Sequence, residues 1–289
     1  MTNRQLTVAV TDPVRDRAAL CWATEEAASR RLPLWLVHGY EWQPGPVWAG
    51  RLRPVPDSLL YEARDAAQRQ LADAITECRS FGPEVEIAGS CTEGSLADVL
   101  VEASRAAELL VLGSAAEPGR RIGSAEQSIA ERSLSPVVVV RAGPLPDRSA
   151  RVVVGLDLTC DSHVPLTFAF EHAQRRQATL EAVTCWQPTL MDSESLLEPV
   201  LAAEQAELEE RLCEELLPWR QKYPDVEVLA SVLERRPVAG LVERAEGCGL
   251  LVLGRPGSHP VRAVLGSVHL AALRRAGCPV ALVPIGRAS

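Results

Sequence analysis

The chain repeats itself, and that repeat limits its possible folds more than any other feature. Residues 6–42, LTVAVTDPVRDRAALCWATEEAASRRLPLWLVHGYEW, run parallel to residues 151–188, RVVVGLDLTCDSHVPLTFAFEHAQRRQATLEAVTCWQP. Each stretch has an apolar run, a polar loop, a helical pattern and a second apolar run ending near a tryptophan. Residues 83–113 likewise match 224–254, both closing on LLVLG, and SPVVVV at 135–140 matches CPVALV at 278–283. A unit of about 140 residues is therefore present twice with its elements in the same order.

Within a unit, short β-branched runs alternate with longer helical patterns, the signature of βαβ units around a parallel sheet. Strands are expected near 6–11, 33–39, 84–90, 108–113 and 136–141, and in the second unit near 151–156, 178–185, 225–232, 249–254 and 279–284. Ser95 with Asp98 three residues on makes a helix start, and Pro237 suits the first turn of the matching helix. The fold expected is α/β: two tandem open-sheet domains, 1–145 and 146–289, each a five-stranded parallel sheet flanked by helices. The last strands, SPVVVV and CPVALV, are too apolar to leave as open edges, so the domains are expected to pack through them as an intrachain pseudo-dimer. The boundary falls in RAGPLPDRSA (141–150). The Pro- and Gly-rich WQPGPVWAGRLRPVP (42–56) reads as an exposed loop inside the first repeat.

Composition removes several functional classes. The net charge of −8 argues against nucleic acid or an anionic membrane as partner. No apolar run reaches the roughly 18 to 20 residues of a membrane span, and the start MTNRQLTVAVTD lacks the pattern of a secretory signal, so a cytoplasmic protein is expected. The eight cysteines form no CxxC pair, which takes away the usual support for zinc or thioredoxin-type redox chemistry. Most of them, including Cys21, Cys213 and Cys278, have apolar neighbours and read as small buried hydrophobes. The histidines show no HExxH spacing and no serine sits in a G-x-S-x-G elbow. A GxGxxG after the first strand is also missing, which disfavours a dinucleotide dehydrogenase.

In an open parallel sheet, ligands bind beyond the carboxyl ends of the strands where the chain reverses direction across the sheet. Two loops of the second repeat lead there. One follows VVVGLD and presents the carboxylate of Asp157. The other follows LLVLG and presents Gly254, Gly257 and then Gly266-Ser267 at the start of a helix. Glycines bring backbone N–H groups close to a ligand, and a helix N-terminus adds unpaired N–H groups and a positive dipole end, so an anion is stabilised in such a loop. Ser267 adds a hydroxyl donor, and Arg255, Arg262 or His259 could lean in from the same loop. Turn geometry alone explains such glycines equally well.

The spacing Gly254-x2-Gly257-x8-Gly266-Ser267, with Asp157 closing the first strand, resembles the nucleotide loop of universal stress proteins. That family's pattern is G-x2-G-x9-G-[S/T], so the loop here is one residue shorter. The resemblance covers nearly the whole chain. It implies a stress-response regulatory protein that binds an adenine nucleotide, ATP or a relative with or without magnesium, in the second domain. By that resemblance Asp157 approaches the ribose or adenine, Gly254 and Gly257 the phosphates and sugar, and Gly266 and Ser267 the phosphates, while Cys185 or a neighbour lines the adenine pocket. No general base is evident, so any ATP hydrolysis would be slow at most. The alternative is a nucleotide-independent scaffold of the same fold, a monomeric pseudo-dimer or a homodimer, that binds an unidentified regulatory protein. The first repeat departs further from the pattern: Thr11 stands where the aspartate is expected, Ala116 replaces the second glycine, and six residues separate it from Gly123-Ser124. Its site is expected to be impaired or empty, with Asp12 and Gly123-Ser124 kept as turn and helix-cap residues. Core packing is expected for Trp22 and Trp35, and a solvated face for the acidic helix 198–219.

Overall fold

In the computed structural model, residues 4–40, 57–115, 123–147, 150–188, 197–255 and 266–285 are described. The chain divides into two compact units between Pro144 and Leu145. The first contains β1 (Gln5–Val10), α1 (Arg17–Arg30), β2 (Leu34–Tyr40), α2 (Asp57–Phe81), β3 (Ile87–Glu93), α3 (Leu96–Ala103), β4 (Ala107–Ser114), α4 (Ser124–Arg132) and β5 (Val137–Arg141). The second repeats the series as β6 (Val152–Leu156), α5 (His163–Arg176), β7 (Leu180–Trp186), α6 (Leu197–Lys222), β8 (Val228–Glu234), α7 (Pro237–Arg244), β9 (Leu250–Arg255), α8 (Gly266–Arg275) and β10 (Val280–Pro284).

Strand order in the first unit is β3-β2-β1-β4-β5, and in the second β8-β7-β6-β9-β10, with every pairing parallel. Parallel neighbours need a crossover, and right-handed crossovers put a helix on the face set by the direction of travel across the sheet. The chain moves outward from β1 to β3 and then returns to β4 on the far side of β1. Accordingly α1 packs with α2, and α3 with α4. Strands covered on both sides become near-continuous apolar runs. Val152, Val153 and Val154 of β6 and Leu250, Leu251 and Val252 of β9 are all buried.

The local signals act as read from the sequence. The Ser95 hydroxyl accepts from the Asp98 N–H at 3.2 Å and caps α3, and Pro237 opens α7. The third strand of each unit begins later than expected, at Ile87 and Val228. The apolar residue before each belongs to a turn: the Val85 N–H donates to Gly82 O and the Val226 N–H to Tyr223 O, both at 3.1 Å. Pro83 and Pro224 hold the second position of those turns, which suits their fixed φ. Trp22 is buried, whereas Trp35 is half-buried and donates its indole N–H to Ser90 Oγ at 3.4 Å. Cys213 departs from expectation and is exposed. The buried face of α6 runs through Leu212, Leu216 and Trp219, and Cys213 lies about 100° round the helix from Leu212. The loop 42–56, with Trp42 and Trp48, lies outside the described residues. Among the described residues no helix is long and apolar enough to cross a membrane.

Candidate functional site

The reversal of the second unit between β6 and β9 leaves a crevice at their carboxyl ends, and a cavity of about 350 Å³ opens there. Its floor is the ends of β6, β7 and β9. Its walls are the turn 157–162, Pro165 of α5, Leu208 and Arg211 of α6, Pro237 and Leu241 of α7, Val268 and His269 of α8, and Ile285. The lining is mainly apolar with a few converging polar groups, the composition typical of small-molecule sites.

Asp157 and Cys185 both border this cavity. Asp157 follows β6 directly; its Oδ1 accepts from the Thr159 N–H at 3.0 Å and the Thr159 hydroxyl at 2.6 Å, which fixes the carboxylate at the rim. Its Oδ2 faces the Cys160 thiol at 3.5 Å, a weak donor. Cys185 lies near the end of β7 against α7. Burial pushes its thiol up to about 11, and the charge of Arg244 opposes this in part. The neutral thiol is thus a wall group. Alkylation of Cys185 by iodoacetamide at pH 7.5 is expected to run one to two orders of magnitude slower than that of an unperturbed thiol, because only the thiolate reacts; mass mapping of partially labelled protein checks this.

Gly254 borders the cavity as the fifth residue of β9, in register with Val283 of β10. A Cβ there would stand 2.6 Å from Ile285 Cδ1 and 3.2 Å from Pro165 Cγ. The glycine therefore lets the start of α5 and the end of β10 close over the strand, a packing role beside the binding role expected of it. Gly266 opens α8 and Ser267 follows it; the two residues after them, Val268 and His269, reach the cavity. The Ser267 side chain, Gly257, His259 and Arg262 lie outside the described residues. Arg255 closes β9 and is buried.

The first unit shows how the same position can be closed from within. Thr11 and Asp16 correspond to Asp157 and Ser162, so the carboxylate and the hydroxyl have exchanged places. Asp16 is buried, and its Oδ2 accepts from the Thr11 N–H at 2.6 Å, the Thr11 hydroxyl at 2.7 Å and the Asp12 N–H at 3.0 Å. A Cβ at Gly113, the counterpart of Gly254, would collide with this carboxylate. The chain's own anion thus occupies the donors at the strand end. Asp12 forms a turn, accepting from the Val14 and Arg15 N–H groups, and Gly123 precedes α4 as its cap.

Sequence reasoning missed the contribution of α6. The Arg211 guanidinium donates to Leu158 O at 3.1 Å, and Glu215 accepts from the Ser162 hydroxyl, so α6 clamps the Asp157 turn from both ends. Within a strongly acidic helix, no spacing marks one arginine as facing a site. Trp186, also on the cavity, is 8% exposed and its indole nitrogen has no hydrogen-bond partner among the described residues. Its place at the end of the second strand, beside Cys185, was the available signal.

A family model described as the universal stress protein family matches residues 2–141 and 149–284. A universal stress protein of Mycobacterium tuberculosis is 31% identical over 290 residues, covering 94% of each chain. The crystal structure of a universal stress protein from Archaeoglobus fulgidus covers 100% of this chain and 99% of its own with a TM-score of 0.70 at 15% identity, a likeness of fold. Another protein of that name and organism, solved in complex with dAMP, is 25% identical and covers 48% of this chain and 98% of its own, with a TM-score of 0.36. With both halves matched by the same model, and a relative aligned across nearly its whole length, the chain belongs to the universal stress protein family as a member with two tandem domains.

Proposed function

We propose that the second unit binds an adenine nucleotide, ATP or a close relative, and that the protein acts as a stress-response regulator through that occupancy. The observation that carries this reading is the convergence of Asp157, Cys185 and Gly254 with the N-terminal turn of α8 on one cavity at the reversal point of the sheet. Apolar walls from β7, α6 and α7 suit a base. The Asp157 carboxylate suits a hydroxyl-bearing sugar, and the N-terminus of α8 suits a phosphate. Among the described residues no cluster of side chains forms a metal cage. A magnesium ion would enter with the phosphates, since magnesium keeps several waters and takes few protein ligands. Asp157 and Asp161 are the carboxylates on the cavity wall that could meet it.

Calorimetric titration with ATP and with adenosine tests the reading. One nucleotide per chain is expected, and Asp157→Ala should weaken both ligands by roughly 10- to 100-fold, the worth of a lost hydrogen bond to a charged group. Ser267→Ala should weaken ATP more than adenosine. A wild-type chain with no measurable affinity for either ligand would overturn the proposal in favour of a scaffold.

A further inference from the structure

Cys248 and Cys278 are 30 residues apart in the chain, in the turns that lead into β9 and β10, and their sulfurs stand 3.3 Å apart. They are 1% and 4% exposed respectively, and neither borders the cavity. The ladder between the two strands starts with Val280 opposite Leu251, and the Leu251 N–H donates to Pro279 O at 3.0 Å just ahead of it. The two sulfurs thus meet where the paired strands begin, and a disulfide needs them brought from 3.3 Å to about 2.05 Å.

We propose that Cys248 and Cys278 are an oxidation site, converted by a hydroperoxide such as hydrogen peroxide into an intramolecular disulfide. The Cys248 thiol donates to the Cys278 sulfur. That bond, with burial, pushes the Cys248 thiol far up, so it keeps its proton at neutral pH. Cys278, which accepts the bond and retains more exposed surface, meets the oxidant. It reacts as the thiolate: its proton is given up as its sulfur attacks one peroxide oxygen, the O–O bond breaks, and the departing hydroxide takes that proton as water, giving a sulfenic acid. As the Cys248 proton passes to the sulfenic oxygen, the Cys248 sulfur attacks the Cys278 sulfur with thiolate character: the S–S bond forms, the S–O bond breaks, and a second water leaves. The two thiols give up two electrons and the peroxide takes them. The ring so closed spans residues 248–278 and so includes Leu253, Gly254, Val268 and His269, which border the cavity. The site depends on no assumption about the ligand.

The experiment treats the full chain with graded hydrogen peroxide, unfolds it, blocks remaining thiols with iodoacetamide and maps the unreduced digest by mass spectrometry. A peptide pair joined through Cys248 and Cys278, released by dithiothreitol and absent in Cys278→Ala, is expected at doses below those that link any other pair. The wild-type map stands by itself if the variant folds poorly. The proposal is overturned if both residues remain alkylatable at a dose that oxidises the exposed Cys213, if either is linked to a different cysteine, or if either stops at sulfinic acid.

Discussion

Replacing Phe170 with alanine is expected to lower the unfolding free energy of the second unit by about 3 to 5 kcal/mol, the cost of removing a fully enclosed ring and leaving a hole. Phe170 is 0% exposed on α5, and its ring lies 5.8 Å from that of Trp219 and 5.4 Å from that of Tyr223, both at the C-terminal end of α6. The Lys222 ammonium covers the same pair from outside, 5.5 Å from Trp219 and 5.1 Å from Tyr223. These rings are what fasten α6 to α5. Because α6 also carries Leu208 and Arg211 to the cavity and holds the Asp157 turn, loss of the anchor should weaken ligand binding as well as folding. Urea unfolding followed by tryptophan fluorescence measures the first effect and titration the second. A loss below about 1 kcal/mol would mean that the neighbours collapse into the hole and the stack is not the anchor.

Asp16→Ala should destabilise the first unit by about 3 kcal/mol, the worth of one or two hydrogen bonds to a charged group once solvent repairs part of the loss. The carboxylate now joins the end of β1 to the start of α1, and its charge lies at the positive end of that helix. Asp16→Asn keeps the shape and removes the charge, so it should fall between the wild type and the alanine variant. Neither change should raise nucleotide stoichiometry above one per chain, because Ala116 and the short loop remain. Unfolding curves for the three proteins, with ATP titrations of each, give both answers. Equal stability of all three would show that the strand-end amides are as well served by water as by Asp16.

Both variants draw on contacts of different legibility. The repeat, the alternation of strand and helix, the α3 cap at Ser95, the proline opening α7 and the place of Asp157 beyond β6 were all readable, because each rests on neighbours within a few positions in the chain or on a period set by backbone geometry. The late start of β3 and β8 was readable in principle from the prolines at 83 and 224, but valine's preference for strands outweighed a turn signal of equal validity. Gly254 borders the cavity, yet its close approach to Ile285 and Pro165 joins three elements and has no local mark.

What the amino-acid order determined by itself was therefore the tandem α/β architecture, the strand ends to which the loops lead, and the loss of the glycine pattern in the first repeat. Tertiary structure alone decided which side chains fill the space at those ends. It set Asp16 into the donors of the first unit, turned Arg211 of an otherwise acidic helix toward the second, and brought Cys248 to Cys278. The physical reason is that a period fixes only which face of an element turns inward. Helix crossing and strand register fix what that face meets, and both are set by packing over the whole unit.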